Sequence, residues 1–444
     1  MKRGIFSTTQ TVAISTLTPG AVIRYTLNSG VPTATTGLVY TTPLTITTTT
    51  VLRAAAFKDD FAPTNVDTNT YIFPAQVKTS AVMSTSITSN TTYGPQVIAA
   101  LNDLPSFSMV TPLSIPNGLD VPASLELIEP GGAPGSGFQE NCGVERFGGD
   151  YTDFAKKSFR VHFRQSFGAG RLNYPLFANH ARGFPPVETF NALEFRSGSH
   201  DMVDRGFYLS NPFTDAVLLD MGSLNPHGRW VHLYYNGTYW GVYHLRERWD
   251  SDLQSDYLGG SPENYESING NLNVGGWAEP GDPYDGDGSS WARIKALRGN
   301  YSGVKPYLDV PQYIDYMLMF MFGDSEDEFR CSGPKGPGTG FKFFLNDADG
   351  WLRSSAGDNT VRSAPGRQHG DGPGSLFSML YKENNPDYRM LLADRIQRHY
   401  FNGGALTPAR NAARLNELAN AMERPFIAES ARWGYRSPSS WLSA

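Results

Sequence analysis

Three short segments carry the residue types that phosphoryl transfer requires. Lys156-Lys157-Ser158-Phe159-Arg160-Val161-His162-Phe163 reads as a cationic strand, Tyr239 to Glu247 as a strand ending near a carboxylate, and Phe341 to Leu345 as an apolar strand running into Asp347 and Asp349. A nucleoside triphosphate brings about four negative charges, so it needs a cation on a rigid strand, an acid to hold that cation and carboxylates for a metal. Lys156 is the candidate cation, Glu247 its holder, and Asp347 with Asp349 the ligands of Mg²⁺ or Mn²⁺, which favour hard oxygen donors. Gly148-Gly149 lies upstream, where a glycine turn would cover phosphates, and Lys157 and Arg160 add positive charge beside it.

Strand alternation puts Lys156, Ser158, Arg160 and His162 on one face and Lys157, Phe159, Val161 and Phe163 on the other. Asp324, Glu326, Asp327 and Glu328 follow a helix running through Met321, where the negative helix pole disfavours them unless a cation is near. Asp324 or Glu326 would then orient an attacking hydroxyl as a general base. Each feature also has a plainer explanation: a solvated basic strand face, a surface salt-bridge cluster of Arg246, Glu247, Arg248 and Asp250, or an ordinary Asn-Asp-Ala-Asp-Gly turn. Asp282, Asp285 and Asp287 suit a turn better than a calcium loop, which would need a later bidentate Glu.

The elements that must position these residues fall into three stretches, as 444 residues exceed one core. Residues 1–74 alternate with turns about every ten residues, which predicts an all-β, immunoglobulin-like sandwich. Residues 75–104, rich in Ser, Thr and Asn, read as a linker or covering segment. Residues 105–444 read as an α+β domain with mixed strands to about 250 and mainly helices from about 306. Strands are expected at 124–128, 158–163, 192–195, 230–235, 239–245 and 341–345. Helices are expected at 311–322 and 388–400, with another opening at Thr407-Pro408 by an N-cap and a first-turn proline. Asn236-Gly237 predicts a type I′ hairpin turn, and the sequon Asn236-Gly237-Thr238 is expected to be a chance match.

The net charge of −6 with 18% charged residues gives no basic field for nucleic acid. No apolar run approaches the ~20 residues of a membrane span. Cys142 and Cys331 leave one conceivable disulfide. A composition rich in Thr, Ser, Asn, Gly and Tyr suggests a secreted or cell-surface chain, here an excerpt without its signal peptide. Gly-x-Ser-x-Gly, His-Glu-x-x-His and Walker motifs are all absent from the sequence.

From about residue 105 onward the chain resembles the spore-coat-protein-H (CotH-like) kinase family. The resemblance rests on Gly143 to Gly149, Lys156 to Phe163, Leu172 to Phe177, Phe195 to Ser199, Asn236 to Glu247, Phe341 to Asp349, Ala393-Asp394-Arg395, Phe401 to Thr407 and Glu429 to Gly434. It implies a diverged protein-kinase-like fold and ATP-dependent transfer to protein Ser or Thr side chains. Lys156 matches the phosphate-binding lysine, Glu247 its partner, Asp347 the metal-binding aspartate, and Asp349 a second ligand. Glu326 stands where the base is expected, although Gly323-Asp324-Ser325-Glu326 replaces the usual Gly-Asn-x-Asp. The alternative is a non-catalytic surface protein that keeps the fold as a binding or assembly scaffold. Residues 1–74 resemble the small sandwich appended to chitobiases, through Ile23 to Asn28, Pro43-Leu44, Leu52 to Ala56 and Thr70-Tyr71, a module that is mostly a spacer, with carbohydrate or cell-surface attachment as the alternative use.

Overall fold

The computed structural model describes residues 1–148, 154–198, 202, 208–270, 282–323, 329–345, 348 and 372–439. Seven strands come first: β1 (Gly4–Ile5), β2 (Gln10–Val12), β3 (Val22–Thr26), β4 (Leu38–Val39), β5 (Leu44–Ile46), β6 (Thr50–Phe57) and β7 (Asp67–Ile72). They form one sheet of order β1-β7-β6-β3-β4 and a second pair, β2 with β5. Alternation along β7 sends Tyr71 into the sandwich core with Phe6, Val12 and Leu52, and turns Thr70 and Ile72 toward the next domain. Both faces of that strand are therefore covered.

Three short helices follow, α1 (Pro74–Lys78), α2 (Thr85–Thr88) and α3 (Val97–Ala100). They bury Val77, Met83, Val97, Ala100 and Leu101 against Ile427, Ala428 and Ala431 near the end of the chain. The segment covers a core, burying more apolar surface than its Ser/Thr-rich composition suggests.

A closed seven-stranded barrel comes next, a feature absent from the sequence reading. Its strands are β8 (Ser106–Val110), β9 (Val121–Ile128), β10 (Gln139–Phe147), β11 (Ser158–His162), then, after the small pair β12 (Leu172–Asn173) and β13 (Thr189–Phe190), β14 (Ala192–Arg196), β15 (Gly228–Tyr235) and β16 (Thr238–Glu247). The order is β10-β11-β14-β16-β15-β8-β9, closed by the parallel pair β15–β8. Phe107, Leu125, Val144, Phe159, Val161, Leu193, Phe195, Val231 and Leu245 fill one buried cluster. Burial of each such side chain stabilises by about 1.5–3 kcal/mol. The β15–β16 turn is the two-residue type I′ loop, with φ of 50° at Asn236 and 77° at Gly237. Both polar ends of the Asn236 side chain bond the backbone of Thr111, so the sequon serves as a strand tie.

Helix α4 (Ser210–Asp220) sits between β14 and β15 in the chain, and α5 (Ser251–Leu258) follows β16. A second sheet, β18-β17-β19-β20, comprises β17 (Tyr265–Gly270), β18 (Asp282–Asp285), β19 (Phe329–Pro334) and β20 (Lys342–Leu345). It packs with α6 (Ser289–Ala296), α7 (Tyr301–Val304), α8 (Val310–Gly323), α9 (Pro373–Glu383) and α10 (Pro386–Tyr400), and Trp291, Tyr313, Met317, Phe320 and Phe343 lie in their shared core. Residues beyond 306 thus include strands as well as helices. The last helices are α11 (Pro408–Met422) and α12 (Pro425–Trp433). Asn385 caps α10 through Asp387 and Tyr388, whereas Thr407 at the start of α11 gives its hydroxyl to Gly404 O instead of capping.

Candidate active site

The outer face of the barrel carries one row of alternating charge. Register places Glu145 opposite Arg160, Arg160 opposite Glu194, and Glu194 opposite Arg246 across four neighbouring strands. Cross-strand neighbours of opposite sign attract, and the contacts follow: Arg160 to Glu145 at 2.8 Å and to Glu194 at 2.9 Å. Arg246 reaches Asp215 of α4 at 3.1 Å, so the helix is tied to the sheet through a buried pair. Burial alone would raise the Glu194 carboxyl, but the charges of Arg160, Arg246, Arg196 and Arg248 outweigh it and hold the group down to about 2. Asp215, where burial wins over Arg246, is raised. Arg246 Nη2 and Arg248 Nη2 are buried without a hydrogen-bond partner among the described residues, as is Glu194 Oε2.

Lys156 lies elsewhere. It precedes β11 and is 4% exposed, with its ammonium donating to Glu429 Oε1 at 2.7 Å, Val242 O at 2.6 Å and Tyr208 Oη at 3.0 Å. The rings of Tyr208 and Tyr243 stand 4.9 and 4.7 Å from it. An ammonium has three N–H groups, and all three are taken, so none is left for a phosphate in this conformation. Its carboxylate partner is Glu429 of α12, in place of the expected Glu247. No spacing rule reaches a partner 273 positions away.

Glu247 is buried at the end of β16, so the surface salt-bridge cluster, the alternative explanation of its charged neighbours, is not its setting. It accepts from His227 N at 2.7 Å, His227 Nδ1 at 3.1 Å and Tyr257 Oη at 2.9 Å. His227 Nε2 faces the carbonyls of Arg182 and Phe184, and Nδ1 faces Glu247, surroundings that favour the protonated ring. Burial lowers its pKa, but the hydrogen bond and charge of Glu247 outweigh that and raise it.

Of the remaining sequence candidates, Gly148 follows β10 with φ 133° and open space where a Cβ would stand. Lys157 offers its carbonyl to Tyr243 Oη at 2.7 Å. Arg160 alone of the expected phosphate ligands joins the charged row. Gly149, Asp324, Glu326, Asp347 and Asp349 lie outside the described residues. Cys142 and Cys331 are free and buried in different sheets.

One metal-capable cluster went unread in the sequence: Asp120, Glu145 and His162. His162 Nε2 lies 3.3 Å from Glu145 and 3.6 Å from Asp120. Arg164 Nη2 faces Nδ1 at 3.4 Å, and a guanidinium only donates, so Nδ1 accepts and Nε2 carries the proton. The ring therefore donates to Glu145, while Asp120 Oδ1 lies nearby without a hydrogen-bond partner among the described residues. Asp120 stands directly before β9, and the pairing of Val121 with Val144 of β10 brings it beside Glu145, a proximity with no local signal in the sequence.

Residues 1–68 match the family model described as the chitobiase/beta-hexosaminidase C-terminal domain. No curated protein matches the chain. Residues 144–442, well over half of the sequence, match the model described as CotH kinase protein, and the chain belongs to that family.

Proposed function

We propose that the chain is an exported or cell-surface kinase that transfers the γ-phosphoryl group of ATP to Ser or Thr hydroxyls of a protein, with Mg²⁺ or Mn²⁺. The observation that carries this reading is a pair of buried arginines, Arg246 and Arg248, each with a buried nitrogen that has no partner among the described residues, near Glu194, which Arg160 and Arg246 approach to 2.9 and 3.7 Å. Orphaned buried donors of this kind suit an oxyanion, and Arg246 and Arg248 would hold phosphate oxygens. Asp215 on α4 orients Arg246, as an acid on a helix between two sheet strands does for the cation of kinases. Element order supports the same reading: a strand, an intervening helix and an antiparallel hairpin, then helices and a second small sheet. Phe329, after the segment with Asp324 and Glu326, pairs with Leu345, before the segment with Asp347. Asp347 and Asp349 would hold the metal, which would offset phosphate charge, and Glu326 or Asp324 would receive the acceptor proton. Lys156 acts in this reading as a positioning residue behind the sheet.

A second reading, a kinase-like scaffold without turnover, is favoured by the saturation of Lys156 and by the mutual pairing of Arg160 with Glu145 and Glu194. Calorimetric titration of ATP with Mn²⁺ or Mg²⁺ separates the two. The kinase reading expects metal-dependent binding that is lost in Asp347→Ala and weakened at least tenfold in Arg248→Met. Absence of binding with either metal leaves the scaffold.

A further inference from the structure

At the Glu145 end of the charged row, three neighbouring barrel strands bring Asp120, Glu145 and His162 together. Asp120 directly precedes β9, Glu145 lies in β10 and His162 ends β11. Backbone pairing holds the approach to Asp120 in place. Gly118 N donates to Arg146 O at 3.0 Å and Arg146 N to Pro116 O at 2.8 Å, so the segment leading to Asp120 is itself laid along β10. The side chains of Asp120, Glu145 and His162 are only 11%, 10% and 6% exposed.

Two carboxylates at this depth are costly unless their oxygens meet positive partners. Arg164 Nη1 donates to Asp120 Oδ2 at 2.6 Å, yet Asp120 Oδ1 is buried with no hydrogen-bond partner among the described residues. Glu145 receives both Arg160 and His162 on Oε1. The single proton on His162 Nε2 goes to Glu145, so hydrogen bonding within the cluster cannot satisfy Asp120 Oδ1 as well. Spacing shows what could serve all three groups at once. His162 Nε2 lies 3.3 Å from Glu145 Oε1 and 3.6 Å from Asp120 Oδ1, and the three ligand atoms fall within 4.8 Å of one another. A tetrahedral ion about 2.0–2.1 Å from each ligand sets neighbouring ligand atoms about 3.3–3.4 Å apart.

We infer that Asp120, Glu145 and His162 bind a zinc ion, with water as the fourth ligand. The imidazole selects the metal: Ca²⁺ and Mg²⁺ take oxygen ligands, whereas Zn²⁺ accepts nitrogen and carboxylate oxygen together. The two carboxylates balance the charge of the ion. Arg160 and Arg164 stay on those carboxylates and fix their orientation, as hydrogen-bonded neighbours of metal ligands do. Binding shifts the imidazole proton from Nε2 to Nδ1 with none released. Arg164, whose side chain is 56% exposed, turns its Nη2 away from Nδ1 to allow this. The ion ties the start of β9 to β10 and β11, and it requires neither ATP nor Asp347 and Asp349.

Calorimetric titration of ZnCl₂ into the chelator-stripped full chain, with no nucleotide present, tests the inference. A tight phase of one zinc per chain is expected, weakened about tenfold or more in Asp120→Asn and in His162→Gln. In ¹⁵N NMR of the zinc-bound chain, His162 should carry the ion on Nε2 and the proton on Nδ1. Zinc should also raise the melting temperature of the parent but not of the variants. Melting curves without zinc establish that each variant is folded, and Asp120→Asn, which keeps the side-chain shape, serves if His162→Gln is not. The inference is overturned if zinc does not bind, if both variants bind it as the parent does, or if His162 keeps its Nε2 proton with zinc bound. Asp347→Ala should retain the tight phase, and Asp120→Asn should bind ATP with Mg²⁺ as the parent does, which keeps a failure here distinct from a failure of the kinase reading.

Discussion

Lys156 and Glu429 form a fully buried ion pair, and the energetics of such pairs are asymmetric. Removing one partner strands a charge in a low-dielectric site, which costs about 3–5 kcal/mol, while replacing both by neutral groups is often close to neutral. Lys156→Met should therefore lower the melting temperature strongly, and Lys156→Met/Glu429→Gln should recover most of the loss. Gln is the right second change because Glu429 also accepts from Val242 N, and an apolar residue would orphan that donor. Equal melting of the single and double variants would show that the pair is not what holds α12 to the sheet. Glu247 and His227 invite a second test. The folded pKa of His227 is raised, so its contribution is fully present below its unfolded value of about 6.5 and fades as pH rises through the folded value. NMR titration of the ring should show its pKa falling in Glu247→Gln, and the decline in stability as pH rises above the unfolded value should shrink. A ring that titrates identically in both proteins would remove Glu247 as the cause.

Between elements, the joint of β7 and β9 rests on one carboxylate. Glu126 accepts from Thr70 N at 3.0 Å and from the Thr70 hydroxyl, and Ser108 of β8 meets that hydroxyl at 2.7 Å. Burial raises the Glu126 pKa to about 7, against the lowering effect of the Thr70 hydrogen bonds. A raised folded pKa means that the favourable contribution is complete below the unfolded value near 4.5 and lost as pH climbs through about 7. The span corresponds to about 3 kcal/mol. Glu126→Gln should accordingly be more stable than the parent at pH 8 and nearly equal to it at pH 5, as read by calorimetry; an unchanged difference between the two pH values would contradict the assignment. Legibility in the sequence followed locality. Strands β11, β14, β15, β16 and β20 and helices α8 and α10 were readable because their apolar periods are local. β10 was not, since Gln139-Glu140-Asn141-Cys142-Gly143-Val144-Glu145 has no clean alternation and its Glu145 finds its partners, Arg160 and His162, on the neighbouring strand. Barrel closure was equally hidden, because β8 and β15 are parallel neighbours more than a hundred residues apart. The same reason took the Lys156 partner from Glu247 to Glu429, while Arg160 was found because its neighbours on the strand declare its face.

At the scale of the whole molecule, the chain's first and last parts share one core. Ile72 from the sandwich, Val77, Met83 and Val97 from the covering segment, Ile128 and Tyr234 from the barrel, and Ile427 and Ala428 from α12 belong to a single buried cluster. Arg424 and Asp103 add an exposed ion pair across the same seam, though exposed pairs contribute little, typically under ~1 kcal/mol. Because the cluster draws on both ends of the chain, opening the sandwich–barrel seam exposes side chains that α12 also packs against, and neither half can lose its fold at no cost to the other. The sandwich and the barrel should therefore unfold together, giving one calorimetric transition for this part of the molecule. Ile72→Ala, at the centre of the seam, should lower that transition as a whole by the about 2–5 kcal/mol typical of a buried Ile-to-Ala change. Two resolved transitions, with only the lower one moved by Ile72→Ala, would mean that the sandwich is an independent appendage.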